Sequence, residues 1–464
     1  MGTETRMTLP LLQEQPHHRV ARLTHNPSTR VRSISLFTAT GIVVSNIIGT
    51  GIFTSLGFQV GGLPSGFAIM VLWAVGGICA LCGALAYAEL AAALPRSGGE
   101  YHFLSEIYHP VVGFLAGWIS ATVGFAAPIA LTAMAFGVYG NHAAPWLNPT
   151  LLSLLVVWIC SAIHFTGLRR GSAFQNTFTI LKIVLILAFI VAGIFVPHSE
   201  PVTFAPKPSD WSLVLGSSFA VSLVYVMYAY SGWNATTYIV GEIRDAQKNV
   251  LRSVLFGTLL VVVLYLGLNA IFLHTTPMSE MAAAAAQHKP NVASLAATQI
   301  FGEAGGRTMD ALICVSLVST ISSMVWIGPR VTVAMGEDMP GLSLFARKTR
   351  SGIPRVALIL QVVIVTALLL TATFDAISIA IQLALTLCSF ATVLGVIVLR
   401  IRRPDLARPY RTWGYPVTPA IFLIVSLWMM FHIFRSNPVE SMIGLGTTLA
   451  GLALYFITGG RARV

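Results

Sequence analysis

Nine stretches of this chain run 19 residues or more without an Asp, Glu, Lys or Arg: 33–88, 107–168, 211–241, 253–279, 311–329, 356–374, 376–399, 412–434 and 441–460. A helix that crosses a bilayer needs about 20 mostly apolar residues, with every backbone polar group bonded inside the segment. The first two stretches are 56 and 62 residues long, so each holds two spans. Their turns fall near Gly61-Gly62-Leu63-Pro64 and between Gly140 and Pro149. Residues 173–196, fifth in chain order, bring the total to twelve spans and are interrupted by one charge, Lys182. Only 10 % of the residues are charged, where soluble domains carry roughly 25 %. A water-soluble, disordered or disulfide-stapled chain is thereby excluded. The expected fold is an all-α integral membrane protein with twelve transmembrane helices.

The basic residues orient those spans. Of 28 Lys and Arg, 23 fall on one side, four (Lys207, Lys289, Arg307 and Arg435) on the other, and Lys182 lies within a span. Basic loops face the cytoplasm, so both termini are expected there, in the plasma (inner) membrane. The net charge of +11 then reflects topology and contact with anionic membrane lipid; no nucleic acid is called for. Residues 1–33 read as a cytoplasmic tail without a cleavable signal, 403–416 as a cytoplasmic loop, and 461–464 as the cytoplasmic end. All five cysteines (Cys79, Cys82, Cys160, Cys314 and Cys388) sit in apolar runs. Cys79 and Cys82 form a C-x-x-C that reads as helix packing. The outer segment 276–306 has helix-prone runs at 281–286 and 292–301; it either caps a vestibule or simply connects.

Two spans are broken in the middle. Span one carries Ser45-Asn46 and then Gly49-Thr50-Gly51; span six carries Tyr228-Ala229-Tyr230-Ser231-Gly232-Trp233-Asn234. Each glycine weakens a helix by about 1 kcal/mol relative to alanine. Freed backbone in a bilayer survives only where it lines a cavity or is buried in protein. One reading of either cluster is close helix packing. Both stand first in a block of five spans, and interrupted spans at corresponding places point to a transporter's binding site. Half-helix amides suit a carboxylate and freed carbonyls suit an ammonium; an α-amino acid carries both.

Lys182 lies too deep to reach the surface easily, and a central lysine costs ~2.5–3.5 kcal/mol on insertion scales. It reads as a strut to freed carbonyls, as a coupling residue that replaces a cation or carries a proton, or as both. Ser316, Ser319, Thr320 and Ser323 share one face of span eight, and Ser322 adds a fifth hydroxyl. Pro128 is expected to bend span three, and Gly328-Pro329-Arg330 to kink the inner end of span eight. Glu89, Glu100, Glu242, Asp245, Glu337 and Asp338 fall near cytoplasmic span ends, with Arg96, Arg244 and Arg330 nearby. They read as a solvated interface, or in part as an ion-paired inner gate. Asp310 and Asp375 sit at outer ends. The eleven histidines show no metal-ligand spacing, and no paired carboxylates or Ser/His arrangement falls within a span. No cofactor, metal or catalytic residue is expected, and an intramembrane enzyme is the weakest reading.

These motifs resemble those of the amino acid–polyamine–organocation (APC) transporters. Gly49-Thr50-Gly51-Ile52-Phe53 looks like their span-one break, and Ser97-Gly98-Gly99-Glu100-Tyr101 is similar to their first cytoplasmic loop. Tyr228 to Asn234 resembles span six of the L-type amino acid transporter branch. Arg403-Pro404-Asp405, Arg408-Pro409-Tyr410 and Trp413-Gly414-Tyr415-Pro416 resemble the loop before span eleven there. The resemblance covers about residues 34–460. It implies two inverted five-helix repeats, about 34–196 and 211–402, forming a transport core over 34–402, with peripheral helices 11 and 12 over 417–460.

Carried onto this sequence, the resemblance gives the substrate carboxylate to the Thr50 hydroxyl and Gly51 amide. It gives the ammonium to the carbonyls of Ile47, Tyr228 and Ser231. Gly49, Ala229 and Gly232 complete the binding segments, and Tyr228 doubles as outer gate. Lys182 would bridge broken span one to span eight, with Ser319 or Thr320 as partner; in exchangers of this kind the lysine stands in for sodium. Ser231 replaces a residue often glycine in close relatives, which alters the pocket wall. The loop between spans three and four lacks the cysteine that animal members use to bond a glycoprotein subunit, so no disulfide-linked heavy chain is expected as partner. The resulting expectation is a permease: a sodium-independent exchanger of neutral L-amino acids, with a proton symporter or a non-transporting amino-acid sensor as alternatives.

Overall fold

The computed structural model describes residues 33–196, 203–286, 292–371, 374–436 and 438–458. The N-terminal tail before 33 and the C-terminal end after 458 lie outside the described residues, as does the side chain of Asp375. The described chain is all-helical, and its one β-like feature is an isolated bridge between Ile34 and Ile243.

The helices run in chain order as α1 (Leu36–Ile47), α2 (Gly51–Val60), α3 (Gly66–Ala93), α4 (Glu100–Ile107), α5 (Pro110–Ile119), α6 (Ala127–Ala143), α7 (Pro149–Thr166), α8 (Leu168–Ile194) and α9 (Asp210–Val214). They continue as α10 (Ser217–Ala229), α11 (Ala246–Thr275), α12 (Met278–Ala286), α13 (Val292–Phe301), α14 (Glu303–Asp338), α15 (Arg355–Thr371), α16 (Phe374–Arg402), α17 (Val417–Ser436) and α18 (Pro438–Ile457). Among the described residues, nine segments are long and apolar enough to cross a membrane. Shorter apolar helices at Ser217–Ala229, Arg355–Thr371 and Gly446–Ile457 fall where the sequence places spans six, nine and twelve.

Starts and stops follow local chemistry. Ser35, Ser65 and Asn148 accept from the amides of Thr38, Ala68 and Leu151 at 3.2, 3.2 and 3.0 Å, filling donors that a helix start leaves open. Both expected breaks are real. α1 ends at Ile47 and α2 begins at Gly51. α10 ends at Ala229, and the chain resumes as a 3₁₀ segment over Ala235–Glu242. Span three is irregular one turn earlier than Pro128 suggests, because a π-helical segment occupies Ser120–Ala126 between α5 and α6. Proline lacks an N–H, and such bulges absorb the mismatch in the ladder. The helix of span eight runs through Pro329 to Asp338. The outer segment carries α12 and α13, so it is structured rather than a plain connection.

α1 lies along α11 and α8, α3 along α11, and α14 along α6, α7 and α8. Burial is densest where these meet: Trp73, Tyr87, Tyr230, Tyr265 and Phe272 are fully enclosed. α17 and α18 pack outside, against α3, α16 and α5.

Candidate functional site

The two breaks touch. A Cβ on Gly51 would stand 2.9 Å from Cα and Cβ of Ala229, so only glycine lets α2 begin against the end of α10. Asn46 donates its amide to the Gly232 carbonyl at 3.1 Å, and Gly232 sits at φ +103°, where a side chain is strained. Tyr265 of α11 closes the arrangement: its hydroxyl reaches the carbonyls of Ile47 and Ala229, both at 3.0 Å.

One cavity opens at this junction. Its lining includes all eight residues assigned to substrate by resemblance: Ile47, Gly49, Thr50, Gly51, Tyr228, Ala229, Ser231 and Gly232. Thr320 also lines it, as do Asn46, Thr132, Asn234, Tyr238, Glu100 and Ser389. Gly51 opens α2, whose N-cap Thr50 makes no side-chain capping bond, so the helix start lacks a side-chain cap, although the Phe53 amide reaches the Thr50 carbonyl at 3.0 Å. The carbonyls are less free than expected. Ile47 oxygen already takes the Tyr265 hydroxyl and the Gly49 amide, and Tyr228 oxygen takes the Ser231 amide at 2.9 Å.

Lys182 and Ser319 stand outside this cavity. Lys182 is fully buried. Its Nζ donates to the carbonyls of Ile48 at 2.6 Å and Ser45 at 3.3 Å, and to Thr320 Oγ1 at 2.8 Å. Thr320 in turn donates to the Ile48 carbonyl at 2.7 Å. Of the two candidate partners it is therefore Thr320 that meets the amine. Ser319 pairs with Thr179 at 3.1 Å and lies 3.4 Å from Gln175 Nε2. Gln175 also donates to Ser45 Oγ at 2.6 Å, a tie that reading the sequence missed because nothing marks one glutamine among many polar residues.

The acidic residues near span ends are not one solvated interface. Glu89 and Glu100 are 1 % and 2 % exposed. Glu89 takes a two-pronged bond from Arg400 at 2.8 and 2.6 Å and the Thr412 amide at 2.7 Å. Glu242 pairs with Arg330 at 3.0 Å, and Asp338 with Arg96 at 2.8 and 3.0 Å. These two pairs tie the far end of span six and the first loop to α14, on the side that carries the basic loops.

The first loop places Glu100. Gly98 and Gly99 sit at φ +125° and +53°, and a Cβ on Gly99 would stand within 2.7 Å of atoms of the Tyr238 ring. The loop is stitched to span six through Ser97 Oγ and the Gly241 amide at 2.8 Å. Burial pushes the Glu100 carboxyl up to about 7, against bonds from Tyr87, Ser389, Asn234 and Tyr238 that pull it down. Burial holds its neighbour His102 down at about 4.

Among the described residues no group of three or more His, Cys, Asp or Glu is placed to hold a metal. The arrangement gathers the start of α2, the Thr50 hydroxyl and several backbone carbonyls around one cavity.

Residues 34–458 match the amino acid permease family. The chain is 26 % identical to the serine/threonine exchanger SteT of Bacillus subtilis over 431 residues, covering 92 % of this chain and 96 % of that protein. It is 28 % identical to the large neutral amino acids transporter small subunit 2 of Mus musculus, over 92 % of this chain and 81 % of that one. It is 26 % identical to the b(0,+)-type amino acid transporter 1 of Mus musculus, over 92 % and 88 % respectively. With its apolar spans and paired breaks, the chain belongs to the amino acid permease family of the APC superfamily: a multi-pass membrane transporter.

Proposed function

We propose that this permease exchanges neutral L-amino acids across the plasma (inner) membrane by alternating access, without sodium. The observation that carries the proposal is the cavity where the two breaks meet. There the α2 amides and Thr50 would take the substrate carboxylate, and the carbonyls of Ile47, Tyr228 and Ser231 its ammonium, with Tyr228 as outer gate. Because Ile47 and Tyr228 oxygens already accept one bond each or more, the ammonium would share them, and Ser231 would contribute most. Sodium independence rests on Lys182. Its amine occupies a nest of oxygens from Ser45, Ile48 and Thr320, the kind of set that otherwise suits a small cation.

In this reading twelve spans are arranged as two inverted repeats of five, 34–196 and 211–402, with spans eleven and twelve outside and both termini cytoplasmic. The protein works without a disulfide-linked heavy chain. Exchange follows if the empty carrier reorients far more slowly than the loaded one, since ligand shifts conformations only through differential affinity. Counterflow of labelled amino acids in proteoliposomes is the test. Saturable, sodium-independent uptake driven by unlabelled neutral amino acid inside is the expected result; no flux of any amino acid would overturn the proposal.

A further inference from the structure

Glu100 lines the same cavity as the residues assigned to substrate and follows the first loop on the side of the basic loops. Its Oε1 accepts the Tyr87 hydroxyl at 2.5 Å, the Asn234 amide at 3.2 Å and the Ser389 hydroxyl at 3.5 Å, and Tyr238 bonds the same carboxyl. These donors come from three separate elements: α3, broken span six and α16. None is cationic. Cys388 also faces the carboxyl from α16. On its own short helix, Tyr101 points to Asp338 at 2.9 Å, and His102 is kept neutral near pH 7 by burial. From α14, Glu337 and Asp338 engage Arg96. Among the described residues no Lys or Arg pairs with Glu100.

A buried carboxylate without a counter-ion is costly, and the ordinary escape is to take up a proton. Here the carboxyl also borders a cavity, so water can deliver one. We propose that Glu100 is a proton-binding site lining the substrate cavity, and that its protonation is linked to movement of span six. Asn234 and Tyr238 stabilise the charged form only while span six stays against the first loop. When that segment moves, the carboxyl loses two donors and its proton affinity rises. The step is a simple exchange: one O–H bond forms on the carboxyl and one breaks on hydronium in the cavity. This rests on the transporter reading and adds a coupling group to it.

The experiment has two arms. In proteoliposomes, uptake of a substrate of the wild-type protein is measured at symmetric pH from about 5.5 to 8.5. Wild type should change several-fold across neutral pH and Glu100→Gln should be flat. Tyr87→Phe, which removes a donor to the charged form, should move the midpoint to higher pH. In the second arm, purified protein in detergent is titrated by infrared difference spectroscopy. A protonated-carboxyl stretch should appear on acidification near neutral pH and be missing in Glu100→Gln. An inactive Glu100→Gln leaves the spectral arm to decide. If wild type moves no amino acid, the transporter reading fails while the spectrum still tests Glu100. A pH-independent wild type, an unchanged profile in Glu100→Gln, or no titrating band would overturn the inference. So would a variant that loses only cationic substrates, which would make the carboxylate a receiver for a basic side chain.

Discussion

The Lys182 amine donates to the Ile48 carbonyl across 2.6 Å, joining the fifth span to the first break. Without Lys182, the Ser45 carbonyl loses the amine as a donor, while the Ile48 carbonyl keeps the Thr320 hydroxyl. An unmet buried acceptor costs about 1–3 kcal/mol, and the missing stem adds a cavity. Lys182→Ala should therefore lower the thermal midpoint of the purified protein and cut uptake by at least tenfold. Thr320→Val, which removes the shared hydroxyl but keeps the amine, should fall between; Thr320→Ser should behave as wild type. Normal uptake by Lys182→Ala at every pH would refute the bridge's importance for transport.

Gly51 and Ala229 approach too closely for a further methyl group, since a Cβ on Gly51 meets Ala229 Cα at 2.9 Å. Neither atom belongs to a flexible side-chain end, so the breaks must separate to admit it. Gly51→Ala is expected to reach the membrane yet lose most uptake. Ala229→Gly in that background removes one of the two clashing atoms and should restore part of it. Matching uptake in the single and double variants would show that the clash is not what limits transport.

Both breaks and the lone lysine are legible in the sequence because each violates a local rule: glycine and polar side chains, or a charge, in a span otherwise apolar. The partners of these residues are not legible. Tyr265, Gln175 and Asn46 are ordinary residues for a membrane helix, and their bonds cross 218, 130 and 186 positions of sequence. Charge near a span end suggests solvent, and that is where reasoning from residue type failed for Glu89 and Glu100. Burial there comes from the loops folding back, which one-dimensional periodicity does not contain. The π segment before Pro128 escaped for a similar reason: a proline marks strain in a helix but not where the ladder absorbs it.

Glu89 pins the loop before span eleven to α3. Arg400 and the Thr412 amide bond it, and Arg408 lies 3.7 Å away, while Arg400 also stacks 3.7 Å over the Tyr415 ring. Removing one partner of a buried pair costs about 3–5 kcal/mol, because the other charge is left uncompensated. Glu89→Ala should lower the thermal midpoint and expose 403–416 to protease. Arg400→Ala should do less, since Arg408 and Thr412 still satisfy the carboxylate and Arg400 is partly exposed. Equal protease resistance in Glu89→Ala would show the loop is held by its apolar contacts instead.

Glu100 should also write itself into stability. Its folded carboxyl titrates at about 7, above the ordinary value of roughly 4.3 expected in the unfolded chain. The folded state therefore binds the proton more tightly, and stability is greatest below the unfolded value and declines as pH rises toward and through 7. At about 1.4 kcal/mol per unit, the difference is on the order of 4 kcal/mol. His102 works in the opposite sense: burial lowers it to about 4, so its unfavourable effect grows as pH falls from roughly 6.5 toward that value. The two overlap, and wild type alone will show a muted slope. The difference between wild type and Glu100→Gln isolates the carboxyl. Thermal midpoints from pH 5 to 8 should show wild type losing ground to the variant as pH rises, with the gap level above about 7.5. A gap independent of pH would mean that the Glu100 carboxyl keeps one charge state throughout this range.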